Sequence, residues 1–249
     1  MTATAHREQV VLPGQASAPP GPVDLSGMFV MHHAFRRDLA RFEAAARRLP
    51  AHDRAAYAAL APRWRLFHTA LHHHHAGEDA GLWPLLRRRV HPVDLRTLDA
   101  MAVEHETLDA LLDQCSAWLG RLAVGGTERD RESLQARLTS LRILLAHHLD
   151  HEESESLALV QRYLTQAEWD LVEKRYFQRT LTPAQVLRLV PWAMHGLPED
   201  VRGRLLVSMP RSFRVVWQLT HRRFERAEQQ VLGAAAAVVP LTYPSEVAS

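Results

Sequence analysis

Residues 71–79 read LHHHHAGED, and residues 145–153 read LAHHLDHEE. Both stretches carry a His followed four residues later by a Glu: His74 and Glu78 in the first, His148 and Glu152 in the second. Residues four apart lie on one face of an α-helix, with about 5–6 Å between their Cβ atoms. Each pair can therefore bind one metal ion, or two neighbouring ions.

Apolar residues at helical spacing surround both stretches and recur in two further segments. They follow one another every three or four residues, which is the period of a helix with one buried face. His32 continues this stripe between Met28 and Phe35, and His105 continues it between Met101 and Leu108. All four predicted helices therefore place imidazole or carboxylate groups where apolar core residues are expected.

The fold predicted from these periods is all-α, because no segment alternates with the period of two that is typical of a strand. Four long helices joined by short turns indicate an antiparallel up-down-up-down four-helix bundle over residues 25–164. Residues 1–24 are rich in Pro, Gly, Ala and Ser and are predicted to form a disordered arm. Residues 165–233 are predicted to be a C-terminal helical extension packed on the bundle, and 234–249 a flexible tail.

Two short motifs mark helix starts within the predicted extension. Thr165-Gln-Ala-Glu168 and Thr182-Pro-Ala-Gln185 both have the spacing of a capping box. In this motif the Thr and the Glu or Gln side chains satisfy backbone amides at the first turn of a helix. The extension is therefore expected to consist of several helices shorter than those of the bundle.

The six polar core residues match one another in pairs along the chain. His105 follows His32 by 73 residues, and His148 and Glu152 follow His74 and Glu78 by 74. This near-constant offset indicates a duplicated helical hairpin. Six buried polar side chains without partners would each cost about 1–3 kcal/mol, and together they would rival the stability of a whole domain. The pattern therefore predicts a metal site with these ligands: His32, His74, Glu78, His105, His148 and Glu152.

Several neighbouring groups leave alternatives open. His33, His75, His147 and His151 flank the stripes and could be further ligands or orienting groups, and Asp109, one turn after His105, could be either. His72 and His73 are predicted to face solvent. Acidic residues at the rim are expected to hold ligating imidazoles in one tautomer: Glu104, Glu153 and Asp79.

Composition and spacing exclude several other classes of protein. Thirty Lys and Arg against 28 Asp and Glu give a net charge of +2, which does not favour a nucleic-acid partner. No apolar run is long enough for a membrane span, and a single cysteine favours a cytoplasmic protein. The Glu-x-x-His pairs of ferritin-like proteins and the His-Glu-x-x-His motif of zincins are both absent from the sequence.

Four segments together resemble the hemerythrin-like HHE cation-binding domains. They are MHHAFRRDL at 31–39, LHHHHAGEDAGLWPLL at 71–86, VEHETLDALL at 103–112 and LLAHHLDHEE at 144–153. The resemblance implies a bundle that binds two iron ions bridged by carboxylates, with the six residues named above as its ligands. Imidazole and carboxylate ligands also suit zinc or manganese, so the preference for iron depends on the resemblance.

The chain departs from oxygen-carrying hemerythrins at two positions. Those proteins have a second ligating His one turn after the His of the third helix, where this chain has Asp109. They also space the ligands of the fourth helix one residue further apart and end with Asp, where this chain has Glu152. Both departures favour a sensor or stress-related protein over an oxygen carrier.

Three functions follow as hypotheses. The first is a non-catalytic protein that binds or senses dioxygen, nitric oxide or redox state. The second is an enzyme that turns over peroxide or nitric oxide at the same centre, although no general base or substrate pocket can be identified from the sequence. The third is an interaction module in which the bundle regulates residues 165–233; the protein partner is not specified by the sequence.

Overall fold

The computed structural model describes residues 7–233 of the 249. The predicted tail at 234–249 and the first six residues of the predicted arm lie outside the described residues. Within 7–233 the chain is helical and contains no strand, which confirms the all-α prediction. Within the same range, no helix combines the length and the apolar character that crossing a membrane requires.

Four long helices form the bundle: α1 (Ser26–Arg48), α2 (Arg54–Gly77), α4 (Leu95–Gly125) and α5 (Glu128–His151). Helix α1 packs on α2 and α5, and α4 packs on α2 and α5, an arrangement compatible with the predicted up-down-up-down order. Thr127 caps α5 by accepting a hydrogen bond from the Asp130 amide, as its position before the helix suggests.

Helices α2 and α5 both continue through one π-helical turn into a shorter helix. The turn Glu78–Leu82 leads into α3 (Trp83–Arg87), and the turn Glu152–Ser156 leads into α6 (Leu157–Tyr163). The two carboxylates of the duplicated motif therefore each begin a π turn. Such turns are rare and often occur at functional sites, because they change the direction in which the following side chains point.

The buried apolar residues form two clusters along the bundle. One cluster includes Phe35, Phe67 and Leu112. The other includes Met28, Leu82, Met101 and Leu157. His32 lies in sequence between Met28 of one cluster and Phe35 of the other, so the polar residues form a layer between two apolar ones.

Residues 7–24 differ from the disordered arm predicted for 1–24. Val10, Leu12 and Val23 are buried, and the segment is closed by a bridge between Arg7 and Gly21. Gln9 donates a hydrogen bond to the Val23 carbonyl at 2.8 Å. The prediction counted the Pro, Gly and Ala content and overlooked these apolar residues and amide side chains, which give the segment its own contacts.

The extension contains α7 (Gln166–Val172), a π turn (Glu173–Gln178), α8 (Pro183–Met194), α9 (Glu199–Ser208) and α10 (Arg211–Leu232). Both predicted capping boxes are present, at the starts of α7 and α8. The extension packs on the bundle through buried polar contacts. Trp192 donates a hydrogen bond to Asp38 at 2.7 Å, and Glu228 forms an ion pair with Arg63.

The π turn of the extension also packs against the first π turn of the bundle. A Cβ atom added to Gly81 would lie 2.3 Å from the Tyr176 ring, and one added to Gly77 would lie 2.7 Å from the Phe177 ring. These distances leave no room for a larger residue at either position. The two glycines therefore allow the aromatic rings to cover the chain on both sides of Glu78.

Candidate metal centre

The structure brings all six predicted ligands into one buried layer. Helix α1 supplies His32, α2 supplies His74, α4 supplies His105 and α5 supplies His148, while the two π turns begin with Glu78 and Glu152. None of the six is more than 2% exposed. The helical period thus placed these side chains correctly in the core.

The ligand atoms fall into two groups, each compact enough for one metal ion. His32, His74, Glu78 and Glu152 form the first group, and His75, His105 and His148 form the second. Within each group the candidate ligand atoms lie within 4.8 Å of one another. The polar layer therefore offers two neighbouring metal positions.

His75 is the residue that the sequence reasoning left open and that the structure places inside the second group. Its ring stacks on His105 with centroids 4.0 Å apart and lies edge-on to His148 at 5.2 Å. The sequence contained a signal for it, because His75 follows Leu71 of the stripe by four residues. The rule of three and four residues admits both His74 and His75, and the shared Glu78 favoured His74.

The other residues left open lie outside both groups. The Asp109 carboxylate is 3.5 Å from the exposed His72 imidazole, and His147 is exposed. His33 is buried, but its Nδ1 atom is 3.3 Å from the Pro13 carbonyl oxygen. The second group contains His75 as a third imidazole, and Asp109 is not among its members.

The two glutamates of the first group also approach the second group. Glu78 Oε1 is 3.1 Å from His74 Nε2 of the first group, and Glu78 Oε2 is 3.5 Å from His105 Nε2 of the second. Glu152 Oε2 is 3.2 Å from His32 Nε2 and 4.0 Å from His148 Nε2. Each carboxylate can therefore contact ions in both positions.

Acidic residues on the outer side of the layer fix three of the rings. Glu153 lies 2.8 Å from Nδ1 of His32, Asp79 lies 3.0 Å from Nδ1 of His105, and Glu104 lies 2.7 Å from Nδ1 of His148. These are the three rim residues predicted from the sequence. A hydrogen bond from Nδ1 leaves the Nε2 lone pair of a neutral imidazole facing inward, as a metal ligand requires.

Glu153 is itself held by groups from two other segments. Arg36 donates hydrogen bonds to both of its oxygens, at 2.7 and 3.1 Å. The amide of Ala16, in the N-terminal segment, donates to Oε2 at 2.7 Å. The packed N-terminal segment therefore helps to orient the carboxylate that orients His32.

Nε2 of His32 and Nε2 of His74 lie 3.2 Å apart, but the other inward-facing atoms of the layer form no hydrogen bond of normal geometry with the described residues. They are both ring nitrogens of His75, Nε2 of His105 and of His148, and both oxygens of Glu78 and of Glu152. Buried polar atoms normally have partners, because leaving one unpaired costs about 1–3 kcal/mol. Imidazole nitrogens and carboxylate oxygens are the donors that first-row transition metals accept, so the residues present fit two such ions.

The electrostatics of the layer reflect its burial and its crowding. Burial, and then the charge of Glu152, raises the pKa of Glu78 well above its usual range. Burial, followed by neighbouring imidazoles, lowers the pKa of His74 and His75 well below theirs. Burial opposes protonation of His32, but Glu152 and Glu153 outweigh it and raise its pKa to about 9. The Glu78 and Glu152 carboxylates have oxygens within 4.8 Å of each other and repel each other when both are ionised. Bound cations would relieve that repulsion.

Comparison with known proteins identifies one family. The Hemerythrin HHE cation binding domain family matches residues 25–160, which is more than half of the chain. The chain belongs to this family, and the matched region contains both groups of candidate ligands. No curated protein and no solved structure matches the chain. The family and the His and Glu groups together support metal binding.

Proposed function

We propose that the bundle binds two iron ions and uses them to bind or sense dioxygen, nitric oxide or the redox state of the cytoplasm. The observation that carries the proposal is the pair of ligand groups, of which the first contains Glu78 and Glu152, whose carboxylates also approach His105 and His148 of the second. Seven side chains would hold the ions, the six predicted from the sequence and His75. Family membership supports a cation site, and the mixture of imidazole and carboxylate donors suits iron.

The bound iron and the residues around it would have three separate roles. Iron, when bound, supplies a centre that changes oxidation state and accepts small ligands. Glu153, Asp79 and Glu104 hold the imidazole rings in the tautomer that ligation needs. Apolar rings exclude water beside His74, where Phe35 lies 5.3 Å and Phe177 lies 6.0 Å from its ring centroid. Burial of this kind favours interaction with small uncharged molecules.

The ligand assignment is tested by paired variants loaded with ferrous iron under anaerobic conditions. His75→Ala removes an imidazole of the second group, whereas His72→Ala removes a neighbouring imidazole whose side chain is 64% exposed. We expect iron bound per chain to fall in the first variant and to be unchanged in the second. Equal iron content in the two variants would contradict the assignment of His75.

The proposed sensing role is tested by adding dioxygen, nitric oxide or peroxide to the iron-loaded protein and measuring how much is consumed. A response limited to one or two equivalents per chain would support binding or sensing. Sustained consumption of peroxide or nitric oxide would instead favour the enzyme, which is the alternative from a different class. If none of the three molecules is consumed or changes the absorption spectrum of the iron-loaded protein, both functions would be contradicted.

The contact between the centre and the extension favours a further role as a regulatory module. Phe177 lies beside His74, and Tyr176 packs on Gly81 within the π turn that Glu78 begins. A change in the position of Glu78 would therefore alter the packing of the extension. Limited proteolysis with and without iron tests this role: cleavage within 165–233 is expected to increase when iron is removed, and identical patterns would contradict it.

A further inference from the structure

A cavity of about 400 Å³ lies between the bundle and the extension. Its walls come from Asp24 and the start of α1, the part of α2 at Ala70, His73 and His74, helix α7, the π turn Glu173–Gln178, and helices α8, α9 and α10. The extension supplies well over half of the lining residues, so the cavity exists only because the extension packs on the bundle. Its volume lies within the range of small-molecule sites in proteins, about 300–1,000 Å³.

The interior of the cavity is apolar and rich in methionine. Met28 and Met31 of α1 face Met194 at the end of α8 and Met209 before α10, together with Phe177 and Phe213. Methionine side chains are unbranched and adjust to ligands of different shape. The interior is thus suited to a flexible hydrocarbon chain or a small aromatic group.

One side of the cavity is acidic. Asp24, Asp170 and Glu173 all line it, and the lining contains no Arg or Lys among the described residues, although the chain has 30 such residues. Burial, and then the charges of Asp170 and Asp24, raises the pKa of Glu173 to about 7. The charges that act on Glu173 are of its own sign and no Arg or Lys lines the cavity, so a cation placed beside these three carboxylates would be attracted by all of them.

We propose that this cavity binds a small organic cation with an apolar tail, its ammonium group beside Asp24, Asp170 and Glu173 and its tail among the methionines. A carboxylate or phosphate ligand would be repelled by the same three residues. A neutral ligand of equal length would gain the apolar contacts but not the electrostatic attraction. The proposal involves His74 only as part of the wall, and it does not depend on iron in the metal centre.

The proposal is tested by calorimetric titration of the full chain with three ligands of equal length: octylammonium, 1-octanol and octanoate. We expect octylammonium to bind most tightly and octanoate most weakly, with a difference of about tenfold or more in Kd between these two. Equal affinity for all three would overturn the proposed role of the acidic residues. Absence of binding by octylammonium would overturn the site itself.

Three variants place the binding within this cavity. Glu173→Gln keeps the size of the side chain and is expected to reduce the preference for octylammonium over 1-octanol by about threefold or more. Met209→Trp fills the interior and is expected to abolish binding of both ligands. Glu132→Gln removes an exposed carboxylate outside the lining and is expected to change neither affinity. Unchanged binding in the first two variants, with native circular dichroism, would overturn the proposal.

Discussion

Replacement of Asp38 by Asn tests how the extension is attached to the bundle. The Asp38 carboxylate is 1% exposed and accepts hydrogen bonds through both oxygens. Oδ1 accepts from Arg37 at 2.8 and 2.9 Å, and Oδ2 accepts from Arg63 and from Trp192. Trp192 lies on α8, so this single carboxylate joins α1 and α2 of the bundle to the extension.

The expected loss of stability follows from the two buried arginines that would lose the negative charge of Asp38. Arg37 is 5% exposed and Arg63 is 7% exposed, so neither can recover full hydration. Removing one partner of a buried ion pair typically costs about 3–5 kcal/mol. Glu228 still neutralises Arg63, and an Asn oxygen can still accept from Trp192. We therefore expect Asp38→Asn to lower the free energy of unfolding by about 3 kcal/mol, the lower end of that range.

Urea denaturation followed by circular dichroism measures this free energy. Asp113→Asn is the matched control, because the Asp113 side chain is 81% exposed and its ion pair with His68 is a surface contact. Exposed pairs contribute about 0–1 kcal/mol, so the control is expected to unfold close to the wild-type midpoint. A loss below about 1 kcal/mol for Asp38→Asn would refute the reasoning, since it would mean that the buried network does not require its negative charge.

Three further predictions follow from individual residues. Gly81→Ala should destabilise the protein by about 1–3 kcal/mol because the added Cβ would overlap the Tyr176 ring. Gly120→Ala has nothing within 4 Å of the added Cβ and should stabilise α4 by up to about 1 kcal/mol. Thermal melts compare the two variants, and equal shifts in melting temperature would contradict the packing of Tyr176 on Gly81. Burial opposes ionisation of Asp38, but Arg63 and Arg37 outweigh it and lower the pKa to about 2. Because this pKa lies below that of an unfolded Asp, about 3.9, the stabilisation by Asp38 should be complete above about pH 4 and lost as the pH falls towards 2. Acid melts of Asp38→Asn should lack this loss, and parallel curves would contradict it. Burial raises the pKa of Cys115 to about 12, so a thiol reagent should label it only after denaturation; rapid labelling of the native protein would contradict its burial.

The helical period predicted most of the polar layer and missed the details that depend on local backbone geometry. His32 and His105 were found because each replaces an apolar residue in a regular stripe. His75 was left open because a period of three or four residues admits two neighbouring positions. The π turns that begin at Glu78 and Glu152 add residues to a turn of helix, and no simple spacing rule predicts where such an insertion falls.

Long-range packing was less accessible from the sequence than local capping. The capping boxes at Thr165 and Thr182 were predicted because all of their partners lie within four residues. The packing of Tyr176 on Gly81 connects residues almost a hundred positions apart, and the local sequence around either residue does not indicate the contact. Residues 7–24 were misjudged for the same reason, because their burial depends on partners such as Glu153 and Gln161.

The two ligand groups lie side by side between the apolar clusters, and we propose that each binds one metal ion. Crystals of the protein loaded anaerobically with ferrous iron, measured at the iron absorption edge, would locate the ions directly by anomalous scattering. We expect two peaks per chain, one within the group of His32, His74, Glu78 and Glu152 and one within the group of His75, His105 and His148. A single peak, or iron bound elsewhere in the chain, would contradict the proposal.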